Sequence, residues 1–133
     1  MKVVINRKYG GFNLSHKAIL LYLKLKGFTP YWKRYEAIEK YHPNYDPEET
    51  GNLVHYGTRP DFMDKEKGYI GYFNPTISIE RTDPILIQVI EGLKEEANSR
   101  FSKLEIVEIP DDIDWEIEEN DGVEWVSEKH RIW

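Results

Sequence analysis

The chain has 133 residues, 40% of them hydrophobic and 14% aromatic, with a formal net charge of −6. That length and composition suit a single domain, residues 1–133, and exclude disorder as the main description. The lack of cysteine excludes a disulfide framework, a thiol nucleophile and a thiolate metal site, and the negative charge argues against binding long nucleic acid, which needs a basic surface.

No apolar run approaches the roughly 20 residues of a membrane span, so no membrane partner is expected. The start is Met1-Lys2 and then a short apolar run, without a signal peptide's long apolar region, so a cytoplasmic location is the expectation. Charge is uneven along the chain: residues 2–40 are rich in Lys and Arg, and residues 105–128 are strongly acidic. The two ends can pair within one fold or across subunits.

Val3, Val4 and Ile5 read as a short buried strand. Ser15 then precedes the most hydrophobic helical pattern, His16 to Gly27, with Ser15 as N-cap, Gly27 as stop, and Lys24 and Lys26 in the last turn. Between them lies Arg7-Lys8-Tyr9-Gly10-Gly11-Phe12-Asn13. A strand, a glycine turn and a helix N-terminus together suit an anion, and Arg7 and Lys8 add positive charge. The glycine spacing matches neither a dinucleotide fingerprint nor a P-loop. The alternative is a tight turn in which Tyr9 and Phe12 only cap the core.

A second strand is expected over Phe28 to Trp32, and Lys33 to Tyr41 suits either a helix or a continuing strand. From His42 to Lys67, prolines, glycines and asparagines punctuate a long loop region with one short strand at Leu53 to Tyr56. Tyr69–Asn74 and Thr76–Glu80 read as extended. Asp83 and Pro84 open a helix as N-cap and N1. Its apolar face is Leu86, Val89, Ile90, Leu93 and Ala97, and Asn98 is the expected stop.

Leu104 to Ile109 is a strand ended by Pro110. In the last hairpin, Ile113, Trp115 and Ile117 alternate with acidic residues, as do Val123 and Trp125. A two-residue Asp121-Gly122 loop sets Trp125 opposite Glu118 and mixes the faces. A three-residue Asn120-Asp121-Gly122 loop sets Trp125 opposite Ile117 and keeps the apolar face intact, so it is the expected register. Its cost is Glu118 opposite Glu124 and Asp114 opposite Glu128. That acidic face is then open to water, covered by basic residues, or a carboxylate pair for a cation or for acid/base chemistry.

The chain ends in Lys129-His130-Arg131-Ile132-Trp133. Trp133 either packs on the core or forms an aromatic wall, with His130 and Arg131 facing a planar or phosphorylated ligand. Arg81, at the second strand-to-helix junction, either guides an anion or pairs with Glu80 or Asp83. The histidines His16, His42, His55 and His130 have no metal-ligand spacing, and no serine lies in a GxSxG context, so neither a metal nor a nucleophilic triad is expected. No cofactor is expected.

The opening KVVINRKYGGFNLSHKA resembles the start of a family of small proteins encoded by tailed bacteriophages. Arg81-Thr82-Asp83-Pro84, the run Glu95 to Leu104 and the close from Trp115 to Trp133 (with its EWVSEKHRIW ending) are similar to it too. The likeness spans both ends and skips roughly residues 30 to 75. Lys8 stands where family members often carry Cys, which argues against a thiol role there, and Asn13 stands where they carry Gly. The resemblance implies a phage origin and an infected bacterial cell more firmly than an activity.

The expected architecture is α+β: a mixed or antiparallel sheet with two main helices on one face and a C-terminal β-hairpin. The leading functional expectation is non-enzymatic binding of a nucleotide-like small molecule. In its concrete form it is an anti-defence sponge for a cyclic or ADP-ribose-derived nucleotide signal. The expected ligand-binding residues are Arg7, Tyr9, Gly10, Gly11, Phe12, Arg81, His130, Arg131 and Trp133. Exposed aromatics and opposite charged ends invite a homo-oligomer. The alternatives are an inhibitor binding a host defence protein, and a hydrolase using carboxylates such as Glu124 and Glu128.

Overall fold

The structure is a computed structural model, and it describes residues 1–47 and 53–129. Strand β1 (Lys2–Asn6) is followed by helix α1 (His16–Leu25), strand β2 (Tyr31–Arg34), the short helix α2 (Glu36–Tyr41) and strands β3 (Val54–Gly57) and β4 (Tyr72–Phe73). Helix α3 (Pro84–Leu93) runs into a 3₁₀ turn at Lys94–Ala97. Strands β5 (Leu104–Glu108), β6 (Trp115–Asn120) and β7 (Val123–Glu128) complete the order. The fold is α+β with two main helices, and its strands pair antiparallel in three small sheets: β1-β5, β2-β3-β4 and β6-β7.

Both long helices begin, and α1 also ends, as their sequences dictate. The Ser15 hydroxyl accepts from the Ala18 N–H, and Gly27 at φ 94 takes the left-handed position after α1. There the Gly27 N–H donates to Lys24 and the Phe28 N–H to Leu23, which satisfies carbonyls the helix leaves open. Asp83 caps α3, accepting from the Ile85 N–H at 2.8 Å, with Pro84 in the first turn. The same carboxylate accepts from Tyr22 Oη at 2.5 Å and pairs with Lys26 at 3.2 Å, so one side chain ties α1 to α3. Although burial pushes the Asp83 carboxyl up, the donors from Tyr22, Ile85 and Lys26 hold it below the usual range. The expected run to Asn98 stops at Leu93, because Lys94 turns the chain at φ 54.

The core lies where α1 meets α3 over β1. Ala18, Ile19, Tyr22 and Leu23 face Leu86, Val89 and Ile90, and Val4, Phe12, Val54 and Tyr56 join the same cluster. Each fully buried aliphatic side chain contributes about 1.5–3 kcal/mol. The middle of the chain differs in detail from its expected pattern. The strand after α1 begins at Tyr31, beyond Pro30. Lys33–Tyr41 divides between the end of β2 and α2. Thr76–Glu80 forms turns rather than a strand, because Asn74 Oδ1 takes both the N–H and the hydroxyl of Thr76.

Strand β1 has β5 on one edge only. Alternate residues of a strand donate to opposite edges, and on the free edge the backbone carbonyl and side chain of Arg81 and the Glu124 carboxylate stand in for a third strand. The Val4 N–H donates to the Arg81 carbonyl at 2.8 Å, and the Arg81 guanidinium returns a bond to the Val4 carbonyl at 3.3 Å. The Asn6 N–H donates to Glu124 Oε1 at 2.8 Å. The β6–β7 hairpin is held against β1 through that glutamate.

The hairpin register corrects the sequence expectation. The loop is the two-residue Asp121-Gly122, with φ 51 and φ 88, so Trp125 stands opposite Glu118 and Val126 opposite Ile117. Positive φ at both positions suits the twist of a tight hairpin. Glu118 accepts from Trp125 Nε1 at 2.9 Å, so this mixed pair is itself favourable. Glu124 now shares a face with Ile117 and Val126 and is only 7% exposed.

Candidate functional site

The residues from Arg7 to Asn13 leave β1 and reach α1 by folding against the hairpin turn. A side chain at Gly122 would stand 2.2 Å from the Gly11 nitrogen, and the Gly10 N–H donates to the Asp121 carbonyl at 3.3 Å. The close backbone contact is thus one that a side chain at Gly122 would prevent, whereas Gly10 and Gly11 suit their positions through positive φ, 117 and 93. Asn6, fully buried, locks the arrangement. Its amide donates to the carbonyls of Lys8 at 2.6 Å and Gly122 at 2.8 Å, and its Oδ1 accepts from the Lys103 N–H at 2.9 Å.

Several of the expected ligand-binding residues are brought together here and are used by the protein itself. Arg81 forks onto Glu124 at 2.6 and 2.9 Å, and its guanidinium lies 3.6 Å from the centre of the buried Phe12 ring. The expected partners of Arg81, Glu80 and Asp83, are not the ones it pairs with. Arg7 donates to Glu105 at 2.7 Å and to the Glu124 carbonyl at 3.2 Å. Tyr9 is 71% exposed. His130, Arg131 and Trp133 lie outside the described residues.

The carboxylate pair weighed for hydrolysis is not arranged for it. Glu124 is held by Arg81 and the Asn6 N–H. Glu128 stands four residues along the same strand, about 13 Å away along the backbone. Glycoside hydrolysis uses carboxyl groups about 5–9.5 Å apart. Among the described residues, no group of three or more His, Asp or Glu is placed to hold a metal ion, and no helix is long and apolar enough to cross a membrane.

Two concavities flank the loop. The first is an open hollow of about 810 Å³ at the C-terminal end of α3. Its rim carries the cations Lys8, Lys94, Arg100 and Lys103, with Glu95 as the one acidic side chain in the lining. Among the described residues none of the four cations stands in an ion pair. Lys8 Nζ donates instead to the Arg100 carbonyl at 3.0 Å, a neutral partner.

The loop that carries Arg100 and Lys103 is fixed by short-range bonds. Ser102 Oγ donates to the Asn13 carbonyl at 2.6 Å and accepts from the Ser99 N–H at 2.9 Å, and Asn98 Oδ1 accepts from the Leu104 N–H at 2.8 Å. Phe101, between the two cations, is 53% exposed and touches Gly10. The sequence reading did not single out Lys94, Arg100 or Lys103 as site residues. The available signal was Ser99-Arg100-Phe101-Ser102-Lys103, a basic run with an aromatic and two hydroxyls inside an acidic half of the chain.

The second concavity is a cleft of about 380 Å³ on the other flank of the loop. It is walled by Gly10, Phe12 and Asn13 on one side and on the other by Val54, Tyr56, Tyr72 and Phe73 of the β2-β3-β4 sheet, with Tyr35 and Asn74 just beyond the ends of β2 and β4. The Tyr35 ring lies 4.4 Å from the His55 ring, and His55 Nδ1 and Tyr72 Oη are 2.7 Å apart. Burial, and then Lys33, lower the His55 pKa, and burial, then Tyr35, raises that of Tyr72. Deeper in, His16 Nδ1 meets Tyr56 Oη at 2.7 Å, and burial lowers the His16 pKa against the pull of Asp46.

Comparison with known proteins assigns no family: no family model matches the chain, and no curated protein or solved structure matches it.

Proposed function

We propose that this protein binds a small phosphorylated ligand in the hollow beside α3 and holds it without chemical conversion. The observation that carries the reading is the convergence of Lys8, Lys94, Arg100 and Lys103 on one concave surface of a chain whose net charge is −6. A concave surface lined by cations that have no acidic partner among the described residues attracts a polyanion. The exposed Phe101, between Arg100 and Lys103 in the chain, adds an apolar surface at the edge of the hollow for the organic part of the molecule.

The resemblance of the chain's ends to phage proteins narrows this reading. Its finer form is an anti-defence sponge that sequesters a cyclic or ADP-ribose-derived nucleotide signal inside an infected bacterium. In this form the phosphate contacts move from Arg7 and Arg81, which are engaged within the fold, to the hollow's four cations.

The test is isothermal titration with pyrophosphate, ADP and ADP-ribose, followed by mass spectrometry of the recovered ligand. Each lost charge-assisted contact costs about 1.5–3 kcal/mol, so Arg100→Ala combined with Lys103→Ala is expected to weaken binding by about a hundredfold or more. The ligand is expected back unchanged. Unaltered affinity in the double variant, or no binding of any of the three, overturns the assignment.

A further inference from the structure

We propose that the cleft between the glycine loop and the β2-β3-β4 sheet is a ring-binding subsite. With the hollow it would select a nucleoside phosphate over a bare phosphate or a sugar phosphate. The inference rests on the phosphate reading of the hollow and adds the identity of what the phosphate is attached to.

Three observations carry it. First, the two concavities share a wall. Lys8 lines the hollow and Gly10 lines the cleft. Two residues of chain span at most about 7 Å, a length of the order of a ribose. Gly10 presents bare backbone to this wall, with Phe101 packed against it: a Cβ at Gly10 would stand 3.0 Å from the Phe101 carbonyl oxygen.

Second, two half-exposed tyrosines, Tyr35 and Tyr72, line the cleft, 38% and 43% exposed. His55, outside the lining, braces both from behind: its ring centroid lies 4.4 Å from that of Tyr35, and its Nδ1 is 2.7 Å from Tyr72 Oη. Half-exposed, braced tyrosine rings give a planar heterocycle a surface to stack on.

Third, the cleft wall offers an amide. Asn74 lines the cleft and spends its Oδ1 on Thr76, at 3.0 Å to the N–H and 2.8 Å to the hydroxyl, so the amino group is the end of the amide that remains to donate. A donor fixed beside a stacking surface reads the edge of a base. The cleft volume, about 380 Å³, falls within the range of small-molecule sites, about 300–1,000 Å³.

The experiment compares pyrophosphate, ADP and adenosine on the wild type, on Tyr35→Ala, on Tyr35→Trp and on the Arg100→Ala/Lys103→Ala double variant. Tyr35→Ala is expected to weaken ADP about tenfold while leaving pyrophosphate unchanged, which also shows that the variant is folded. Tyr35→Trp, which keeps a ring, is expected to retain ADP binding. The double variant is expected to weaken both phosphates. If Tyr35→Ala leaves ADP binding intact, or ADP binds no tighter than pyrophosphate, the ring subsite is wrong and the hollow stands. If neither phosphate binds the wild type, the hollow falls and the subsite with it.

Discussion

Glu124 shows how one side chain can decide a register. On an alternating strand, an inward glutamate looks like an error, and a three-residue loop removes it. The protein keeps it inward because Arg81, 43 residues away in the chain, meets it with a two-pronged ion pair. The side chains of the pair are 21% and 9% exposed. Breaking one partner of such a pair strands the other charge, which costs about 3–5 kcal/mol when burial is complete. Glu124→Ala is therefore expected to lower unfolding free energy by about 2–4 kcal/mol, since it also orphans the Asn6 N–H. Replacing both partners, as Arg81→Met with Glu124→Leu, leaves no stranded charge and is expected to cost less than the sum of the single changes. Urea denaturation of the wild type, Arg81→Met, Glu124→Leu and the double variant closes the cycle, and strict additivity would remove the pair from the account.

At the scale of elements, local signals were legible and long-range ones were not. Ser15 and Asp83-Pro84 placed both helix starts, because a cap depends only on residues within one turn. The β6–β7 register was not legible, because it depends on Arg81. The hollow was also hidden: Lys8 and the Arg100–Lys103 loop meet only once Asn6 has pinned β1 against β5 and the hairpin. The glycine loop was recognised as a special turn, but its partner, Gly122, lies across the fold. That contact gives a second prediction. Gly27 and Gly122 both have positive φ, 94 and 88, but a Cβ at Gly27 meets nothing within 4 Å, whereas one at Gly122 overlaps the Gly11 backbone. Gly27→Ala is expected to cost about 1 kcal/mol in backbone strain alone. Gly122→Ala must also push the hairpin off the loop, and is expected to cost at least twice as much. Equal destabilisation of the two variants in thermal melts would mean that the hairpin turn does not support the loop.

Across the whole molecule, the basic and acidic ends partly pair within the chain, Arg7 with Glu105 and the N-terminus with Asp111, while Lys2 pairs with Glu91 of α3. These pairs are exposed, and such pairs contribute about 0–1 kcal/mol each, so the pH dependence of stability is set by more enclosed groups. Below neutrality the controlling groups are His16 and His55, both lowered from 6.5, by burial first and, for His55, then by Lys33. The unfolded chain takes up protons from about pH 6.5 while the folded one resists, so stability present above that pH is lost on acidification. Asp83, lowered from 3.8, adds a further loss at still lower pH. At the alkaline end Tyr22 is raised from 10.0 by burial and by Asp83, so unfolded chains ionise first and stability falls as pH rises past about 10. Urea midpoints are therefore expected to be flat between about pH 7 and 9 and to decline on both sides. His16→Gln is expected to shallow the acid limb between pH 6.5 and 5 and leave the alkaline limb in place. A midpoint that rises between pH 7 and 5.5 would contradict burial of His16 as a neutral ring against Tyr56, and with it the packing that seats the sheet side of the cleft on α1.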